Sequence, residues 1–156
     1  MSKGLSDATG RHISLKDIDP GDTNGMSEEE VEKRLPAMQE RLGGLHNLLY
    51  GAAHQGLLVV LQGLDTAGKD GSVKHLVQGL NPIGCEITSF KQPTAEELAH
   101  DFLWRVHPHS PGLGQVSIFN RSHYEDVLVG HVRKLASGDE IEARYDQINN
   151  FEKTLT

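Results

Sequence analysis

The sequence predicts an α/β fold in which helices cover both faces of a parallel sheet. Three short apolar segments, over residues 57–61, 85–90 and 116–119, have the character of strands, and a helical pattern follows each of them. The first segment is apolar without alternation, which is typical of a strand that is covered on both faces. Strand–helix units in this order produce parallel strands in a three-layer α/β/α arrangement. Three strands make a small sheet, so we expect an incomplete one, with three of about five strands.

The N-terminal part of the chain divides into an irregular arm and a long helix. Residues 1–25 have no periodicity, whereas residues 26–156 are expected to form the α/β domain. Ser27 and Glu30 have the spacing of a capping box, which predicts a helix start. Pro36 predicts a kink in that helix, or its division into two. The apolar stripe of the helix recurs at steps of three and four residues and comprises Val31, Leu35, Met38, Leu42, Leu45, Leu48 and Leu49.

Four further helices are predicted after the strands. The first covers residues 72–80, and the second runs from a capping box at Thr94 through Val106, with Trp104 on its apolar face and therefore in the core. The third follows the last strand through Leu135. The fourth covers residues 141–155, after a break at Ser137-Gly138-Asp139.

Composition excludes several classes of protein. Fifteen lysine and arginine residues against 22 aspartate and glutamate residues give a net charge of −7, which disfavours a nucleic-acid partner. The single cysteine, Cys85, excludes an intrachain disulfide and fits a reducing cytosol. No apolar run approaches the roughly 20 residues of a membrane helix, and the N-terminus lacks the apolar core of a signal peptide. We therefore expect a soluble cytoplasmic protein with no membrane partner.

Residues 63–70, between the first strand and its helix, match the phosphate-loop pattern G-x-x-x-x-G-K. Glycines let successive backbone N–H groups point at phosphate oxygens, and the helix that follows adds the positive end of its dipole. Lys69 adds a full charge. The alternative is a tight strand-to-helix turn that carries this pattern by chance, and the flanking strand and helix argue against it. The predicted phosphate-binding residues of the loop are Thr66, Ala67, Gly68, Lys69, Asp70 and Gly71.

The loop ends in Asp70, where serine or threonine is usual. Asp70 places a second carboxylate near Asp65, and two carboxylates beside a triphosphate repel it unless a divalent metal intervenes. This loop therefore predicts Mg²⁺ (or Mn²⁺) as a cofactor more strongly than a phosphate loop that ends in serine or threonine does. It also makes a GTPase or a common ATPase a poorer interpretation.

Polar residues follow the third strand, at the edge of the sheet where ligands gather in open α/β folds. Arg121 is placed to stabilise charge on a transferring phosphoryl group. Asn120 can coordinate a metal but supplies no negative charge. Glu125 or Asp126 could supply it, and we favour Glu125. The alternative is that both acids only favour the first turn of a helix.

Three further residues are candidates for contacts with substrate. Lys91 and Gln92 come after the second strand at another carboxyl end, with Lys91 as the candidate for phosphate, and His123 lies in the third-strand motif near the expected phosphates. The nine histidines as a group lack the paired spacing of a zinc site. We interpret the others as surface or capping residues.

Together with the loop, three segments make the sequence resemble the polyphosphate kinase 2 family: residues 88–98, 100–105 and 118–125. The resemblance extends over about residues 15–156, and each motif is specific to the family. The third-strand motif, with asparagine rather than aspartate, looks like the branch that phosphorylates AMP and ADP.

The resemblance implies transfer of phosphoryl groups between inorganic polyphosphate and AMP or ADP, or the guanine nucleotides GMP and GDP, with Mg²⁺ on a P-loop kinase-like fold. The family's catalytic positions correspond to Asp65, Lys69, Arg121 and Glu125. The metal-binding candidates are Asp65, Asp70, Asn120 and Glu125. Members of the family continue with another core strand and an arginine-rich lid, so we expect this chain to be a fragment without the lid.

Two other functions use the same loop. One is an ATP-dependent kinase of a small molecule, which the choice of phosphoryl donor distinguishes. The other is a non-catalytic fragment that binds phosphate or nucleotide without turnover. A homo-oligomer formed through the leucine-rich first helix is also expected, although core packing explains the stripe of that helix equally well.

Overall fold

The computed structural model of the protein describes residues 14, 16, 18, 19, 21–132 and 136–156. The chain falls into two compact units, Met1–Ala37 and Met38–Thr156, and helix α1 (Glu28–Ala52) belongs to both. Most of the predicted arm over residues 1–25 lies outside the described residues, so its boundary stays a prediction. None of the described helices is long and apolar enough to cross a membrane.

The second unit contains a parallel three-stranded sheet, as predicted. Its strands lie in the order β1-β3-β2, and Leu61 and Ser89 both pair with Asn120, so the three carboxyl ends are level. The elements after α1 are β1 (Leu57–Leu61), α2 (Lys69–Val77), β2 (Cys85–Ser89), α3 (Ala95–Leu98), β3 (Val116–Asn120), α4 (Glu125–Val132) and α5 (Gly138–Leu155).

Apolar side chains cover both faces of this sheet, because successive residues of a strand point to opposite faces. One face packs against α1 and α2, and its cluster includes Val59, Leu61, Val116 and Ile118 of the strands with Leu42, Leu49, Val73, Leu76 and Val77 of the helices. The other face includes Leu58, Val60 and Phe119 with Phe151 of α5 and with Phe90, Leu103 and Val106. The predicted three-layer α/β/α arrangement is thereby confirmed.

The predicted helix from Thr94 to Val106 is shorter than expected. Helix α3 ends at Leu98, and turns follow it. Asp101 starts one of them, since its carboxylate accepts a hydrogen bond from the N–H of Leu103 at 3.0 Å. Such local bonds compete with the helical ladder. The turns leave Trp104 39% exposed, so the prediction that it belongs to the core is wrong.

Helix α1 differs from its prediction in its buried face. Pro36 lies inside a single helix of 25 residues, so the proline does not divide it into two, since one missing donor does not end a helix whose neighbouring turns keep their bonds. The predicted stripe is too wide. Leu45 and Leu48 are 54% and 71% exposed, whereas His46 is buried, where its ring nitrogens contact the carbonyl of Gly84 and the N–H of Asn81.

Helix starts follow local chemistry. The capping boxes predicted at Ser27 and Thr94 are both present. A third box, formed by Ser137 and Glu140, was not predicted and starts α5 at Gly138, inside the expected break. The predicted extension of the preceding helix to Leu135 lies outside the described residues.

Two adjacent glycines of α1 predict opposite effects of the same substitution. A Cβ on Gly43 would lie 2.9 Å from the carbonyl oxygen of Gly79, whereas one on Gly44 would meet nothing within 4 Å. Gly43→Ala is therefore expected to lower the free energy of unfolding by about 1–3 kcal/mol through overpacking. Gly44→Ala is expected to raise it by about 0.5–1 kcal/mol through helix propensity. Urea unfolding of both variants measures the difference, and equal shifts would contradict the close approach of Gly43 to Gly79.

Candidate functional site

The segment between β1 and α2 forms the predicted glycine-rich loop. Gly68 adopts φ 81° and is the N-cap of α2, so Lys69 is the first helical residue, three residues earlier than predicted. Thr66 adopts φ 70°, a left-handed conformation that a β-branched residue rarely takes. Backbone strain of this kind is concentrated at ligand-binding sites and costs about 1–3 kcal/mol. The loop is therefore held in a shape that Thr66 disfavours.

A cavity of about 600 Å³ opens beside this loop, at the carboxyl ends of all three strands. In open α/β sheets this edge is where ligands bind. The residues around it come from the loop and from the ends of β2 and β3: Asp65, Thr66, Gly68, Lys69, Asp70, Gly71, Ser89, Phe90, Lys91, Gln92, Asn120 and Arg121.

Lys69 is folded back over the loop that precedes it. Its ammonium donates hydrogen bonds to the carbonyl oxygens of Gly63 and Leu64, at 2.9 and 2.7 Å. The tight turn of the loop is closed by the N–H of Ala67, which donates to the same Leu64 carbonyl at 3.2 Å. The charge of Lys69 is thereby held at the edge of the cavity.

Arg121 carries the second cation from the end of β3. Its backbone adopts φ 63°, and its N–H donates to the carbonyl of Leu61 at 3.0 Å, which fixes the turn out of the strand. The guanidinium forms an ion pair with Asp65, and its Nη1 lies 3.8 Å from Oε2 of Glu125. Two of the predicted metal ligands therefore face the same arginine.

Glu125 lies behind Arg121 and is 16% exposed. The side-chain amide of Gln62 donates to Oε1 of Glu125 at 2.5 Å and accepts from the hydroxyl of Ser122 at 3.3 Å. Sequence reasoning missed Gln62, although a polar residue directly after a buried strand was an available signal. Gln62 thus connects the end of β1 to the start of α4.

Asp70 and Asn120 meet across the cavity edge, where the amide of Asn120 donates to Oδ1 of Asp70 at 2.7 Å. The described residues contain no group of three His, Cys, Asp or Glu side chains that could hold a metal ion. Mg²⁺ in phosphate sites usually takes one or two carboxylates from the protein, and phosphate and water supply the rest. Asp65 and Asp70, which both line the cavity, fit that requirement.

His123 does not reach the cavity, so the prediction that it contacts phosphate does not fit its position. It is fully buried, with its ring edge-on to Phe151 at 5.3 Å and its Nε2 3.4 Å from Glu152. Burial lowers the pKa of His123, and Glu152 opposes that shift. Tyr124 also binds Glu152, and burial raises the pKa of Tyr124 to about 12.

The structure brings most of the predicted residues together. Those that line the cavity are Asp65, Thr66, Gly68, Lys69, Asp70, Gly71, Lys91, Asn120 and Arg121, while Ala67, His123 and Glu125 lie outside its lining. Ser89 and Phe90 line it without having been predicted, because their place depends on where β2 ends.

Comparisons with known proteins point in one direction. A family model described as Polyphosphate kinase 2 matches residues 25–156. The chain is 43% identical over 145 residues to the AMP/ADP-polyphosphate phosphotransferase of Meiothermus ruber, a match that covers 92% of the chain and 54% of that protein. It is 45% identical over 106 residues to the ADP-polyphosphate phosphotransferase of Rhodopseudomonas palustris, covering 68% of the chain and 37% of that protein.

A solved structure shares the fold. The crystal structure of Polyphosphate Kinase 2 from Arthrobacter aurescens TC1 superposes with a TM-score of 0.87 at 42% identity, over 92% of this chain and 53% of that one. The chain therefore spans about half of the length of that structure and of the Meiothermus ruber protein.

Proposed function

Because the chain belongs to the polyphosphate kinase 2 family, we propose that its cavity binds inorganic polyphosphate and supports phosphoryl transfer between that polymer and AMP or ADP. One observation carries the proposal. Lys69 at the start of α2, Lys91 after β2 and Arg121 after β3 line a single cavity with the glycine loop, at the carboxyl ends of the three strands. The substrates named for the relatives from Meiothermus ruber and Rhodopseudomonas palustris are polyanions of this kind.

The loop supplies the cradle for a run of phosphates. Backbone N–H groups over residues 66–71 lead into the positive end of α2, where anions are stabilised. Lys69 begins this helix, and the phosphate oxygens replace the carbonyls of Gly63 and Leu64 as acceptors of its hydrogen bonds. A charged acceptor makes a stronger bond than a neutral carbonyl does, which favours the exchange.

Arg121 stabilises the charge on the phosphoryl group in transit. A nucleotide phosphate is already an anionic nucleophile, so the transfer needs positioning and charge neutralisation more than proton transfer. In the structure the guanidinium is bound by Asp65 and lies near Glu125. Glu125 keeps the guanidinium in place at the end of β3 when its bond to Asp65 is exchanged for one to phosphate.

Asp65 and Asp70 are the carboxylates that would hold Mg²⁺, or Mn²⁺ in its place, beside the cradle. The metal supplies neutralisation of the phosphate oxygens when it is bound. Asn120 orients Asp70 through its hydrogen bond of 2.7 Å. The proposal also includes the guanine nucleotides GMP and GDP as acceptors.

An assay of donor choice tests the proposed function. The gene product that carries this chain is incubated with ADP, or with GDP, and polyphosphate in Mg²⁺, and formation of the triphosphate is followed. We expect product that depends on polyphosphate and disappears when EDTA removes the metal. Binding of polyphosphate without product, or phosphorylation of other small molecules by ATP alone, would contradict the proposal.

A further inference from the structure

Arg105 is a buried cation that the proposed mechanism does not use. Only 7% of its side chain is exposed, although charged side chains are rarely buried unless they are paired. Its Nη2 lies 3.5 Å from Oδ2 of Asp126, and its Nη1 lies 3.9 Å from Oε2 of Glu97. Burial raises the pKa of Asp126, and Arg105 opposes that shift. The two carboxylates compensate the buried charge, but they do not explain why an arginine is placed there.

The shortest contact of Arg105 leads to the cavity. Its Nη1 donates to the backbone carbonyl of Lys91 at 2.9 Å, and its guanidinium lies over the ring of Phe90, 5.5 Å from the centroid. Phe90 and Lys91 both line the cavity. Arg105 is therefore bonded directly to the backbone of Lys91, the lining residue that the sequence predicts to bind phosphate.

Lys91 lies just beyond the last backbone hydrogen bond that strand β2 makes with the sheet. Strand β2 ends at Ser89, and its ladder reaches Phe90, whose N–H donates to the carbonyl of Asn120 at 3.1 Å. One residue further along, the carbonyl of Lys91 accepts its hydrogen bond from Arg105. A planar guanidinium can bind several acceptors in fixed directions, which an ammonium cannot do. The side chain of Arg105 thus fixes the backbone of Lys91, where the hydrogen bonds between strands no longer do so.

We propose that Arg105 is a positioning residue that holds Lys91 in the orientation in which its ammonium binds a phosphate group of the substrates. The ligand is a phosphate of either polyphosphate or the nucleotide, since both offer the same chemistry to Lys91. The inference rests on the proposed function, because only a substrate with phosphates gives Lys91 a role in the cavity.

The test compares two arginines with similar contacts. Arg144 also donates to a backbone carbonyl, that of Asp126 at 2.8 Å, and also lies over an aromatic ring, that of Phe102 at 5.1 Å, yet it does not line the cavity. For Arg105→Lys in the gene product we expect the KM of one substrate to rise about tenfold with kcat within about twofold, because the lysine cannot keep the fork of contacts. Arg144→Lys is expected to lower stability and to leave both KM values unchanged.

A double variant shows whether Arg105 acts through Lys91. Lys91→Ala removes the ammonium but keeps the carbonyl, so adding Arg105→Lys should change KM by less than about twofold further. The substrate whose KM rises in both single variants identifies the phosphate that Lys91 binds. Independent, multiplicative effects of the two substitutions would overturn the proposal, as would a wild-type KM in Arg105→Lys.

A second variant and the activity of the unsubstituted protein separate the possible explanations of a negative result. If Arg105→Lys does not fold, Asp126→Asn weakens the same network from its other end, and it should raise the same KM about threefold; an unchanged KM in that variant overturns the proposal. Failure of the proposed function would look different, because the unsubstituted protein would then form no product from polyphosphate.

Discussion

Replacing Lys69 by alanine is expected to lower the rate of polyphosphate-dependent nucleotide phosphorylation by about 10³-fold, within the range that loss of a single transition-state-stabilising donor produces. Lys69 is the first residue of α2, and its ammonium lies at the edge of the cavity, bound only to the carbonyls of Gly63 and Leu64 among the described residues. In the proposed function, a phosphoryl group in transit develops charge where that ammonium can reach it. The substitution removes this stabilisation and leaves the hydrophobic core untouched.

The control for Lys69→Ala is Lys74→Ala. Lys74 is an exposed lysine of the same helix that does not line the cavity, so its loss changes the net charge equally. The rate should stay within about twofold of wild type in the control, as for most surface substitutions. Equal rates in wild type and Lys69→Ala, measured by steady-state kinetics with saturating polyphosphate, would remove Lys69 from the mechanism.

Arg121→Ala is expected to lower the same rate by about 10³-fold or more, since an arginine that stabilises phosphoryl transfer contributes factors of about 10³–10⁵. The same substitution is expected to affect the affinity for Mg²⁺ in the opposite direction. Arg121 forms an ion pair with Asp65, so its removal frees a carboxylate of the proposed metal site. The affinity for Mg²⁺ should therefore rise or stay equal while the rate falls.

Isothermal titration of Mg²⁺ in the presence of polyphosphate, together with single-turnover kinetics, separates these two effects. Arg41→Ala is the matched control, because Arg41 is an exposed arginine of α1 that does not line the cavity. A parallel loss of metal affinity and rate in Arg121→Ala would indicate that Arg121 supports the metal site rather than the phosphoryl group.

Local patterns were sufficient to predict the architecture that carries the site. The apolar run of β1 and the loop glycines Gly63 and Gly68 act within one segment of chain. The capping boxes at Ser27 and Thr94 do so as well. Parallel strands bring their carboxyl ends to one edge, which is why residues from three separate motifs could be assigned to one cavity before their contacts were known.

Contacts between distant residues could not be predicted in this way. His123 is buried because Phe151 and Glu152 of α5 pack against it, and its own neighbours in sequence do not indicate this. The ion pair of Arg121 with Asp65 and the hydrogen bond of Asn120 with Asp70 likewise join residues more than forty positions apart. Their geometry depends on the register between β1 and β3 and on the loop conformation, neither of which the motifs specify.

The hydrophobic pattern also did not predict which residues of α1 are buried. The hydrophobic pattern placed Leu45 and Leu48 on the buried face of α1, whereas the structure buries His46 between them, because its ring binds the turn at Asn81 and Gly84. A polar side chain that finds such partners can replace an apolar one in the core.

Crystals of the protein soaked with Mg²⁺ and a short polyphosphate would show directly whether the glycine loop binds this polymer. We expect density for consecutive phosphates along the N–H groups of residues 66–71, with oxygens within hydrogen-bond distance of Lys69 Nζ and the Arg121 guanidinium, and with Asp65 released from Arg121. Density for the polymer elsewhere on the surface, with Lys69 still bound to the carbonyls of Gly63 and Leu64, would contradict the proposed function.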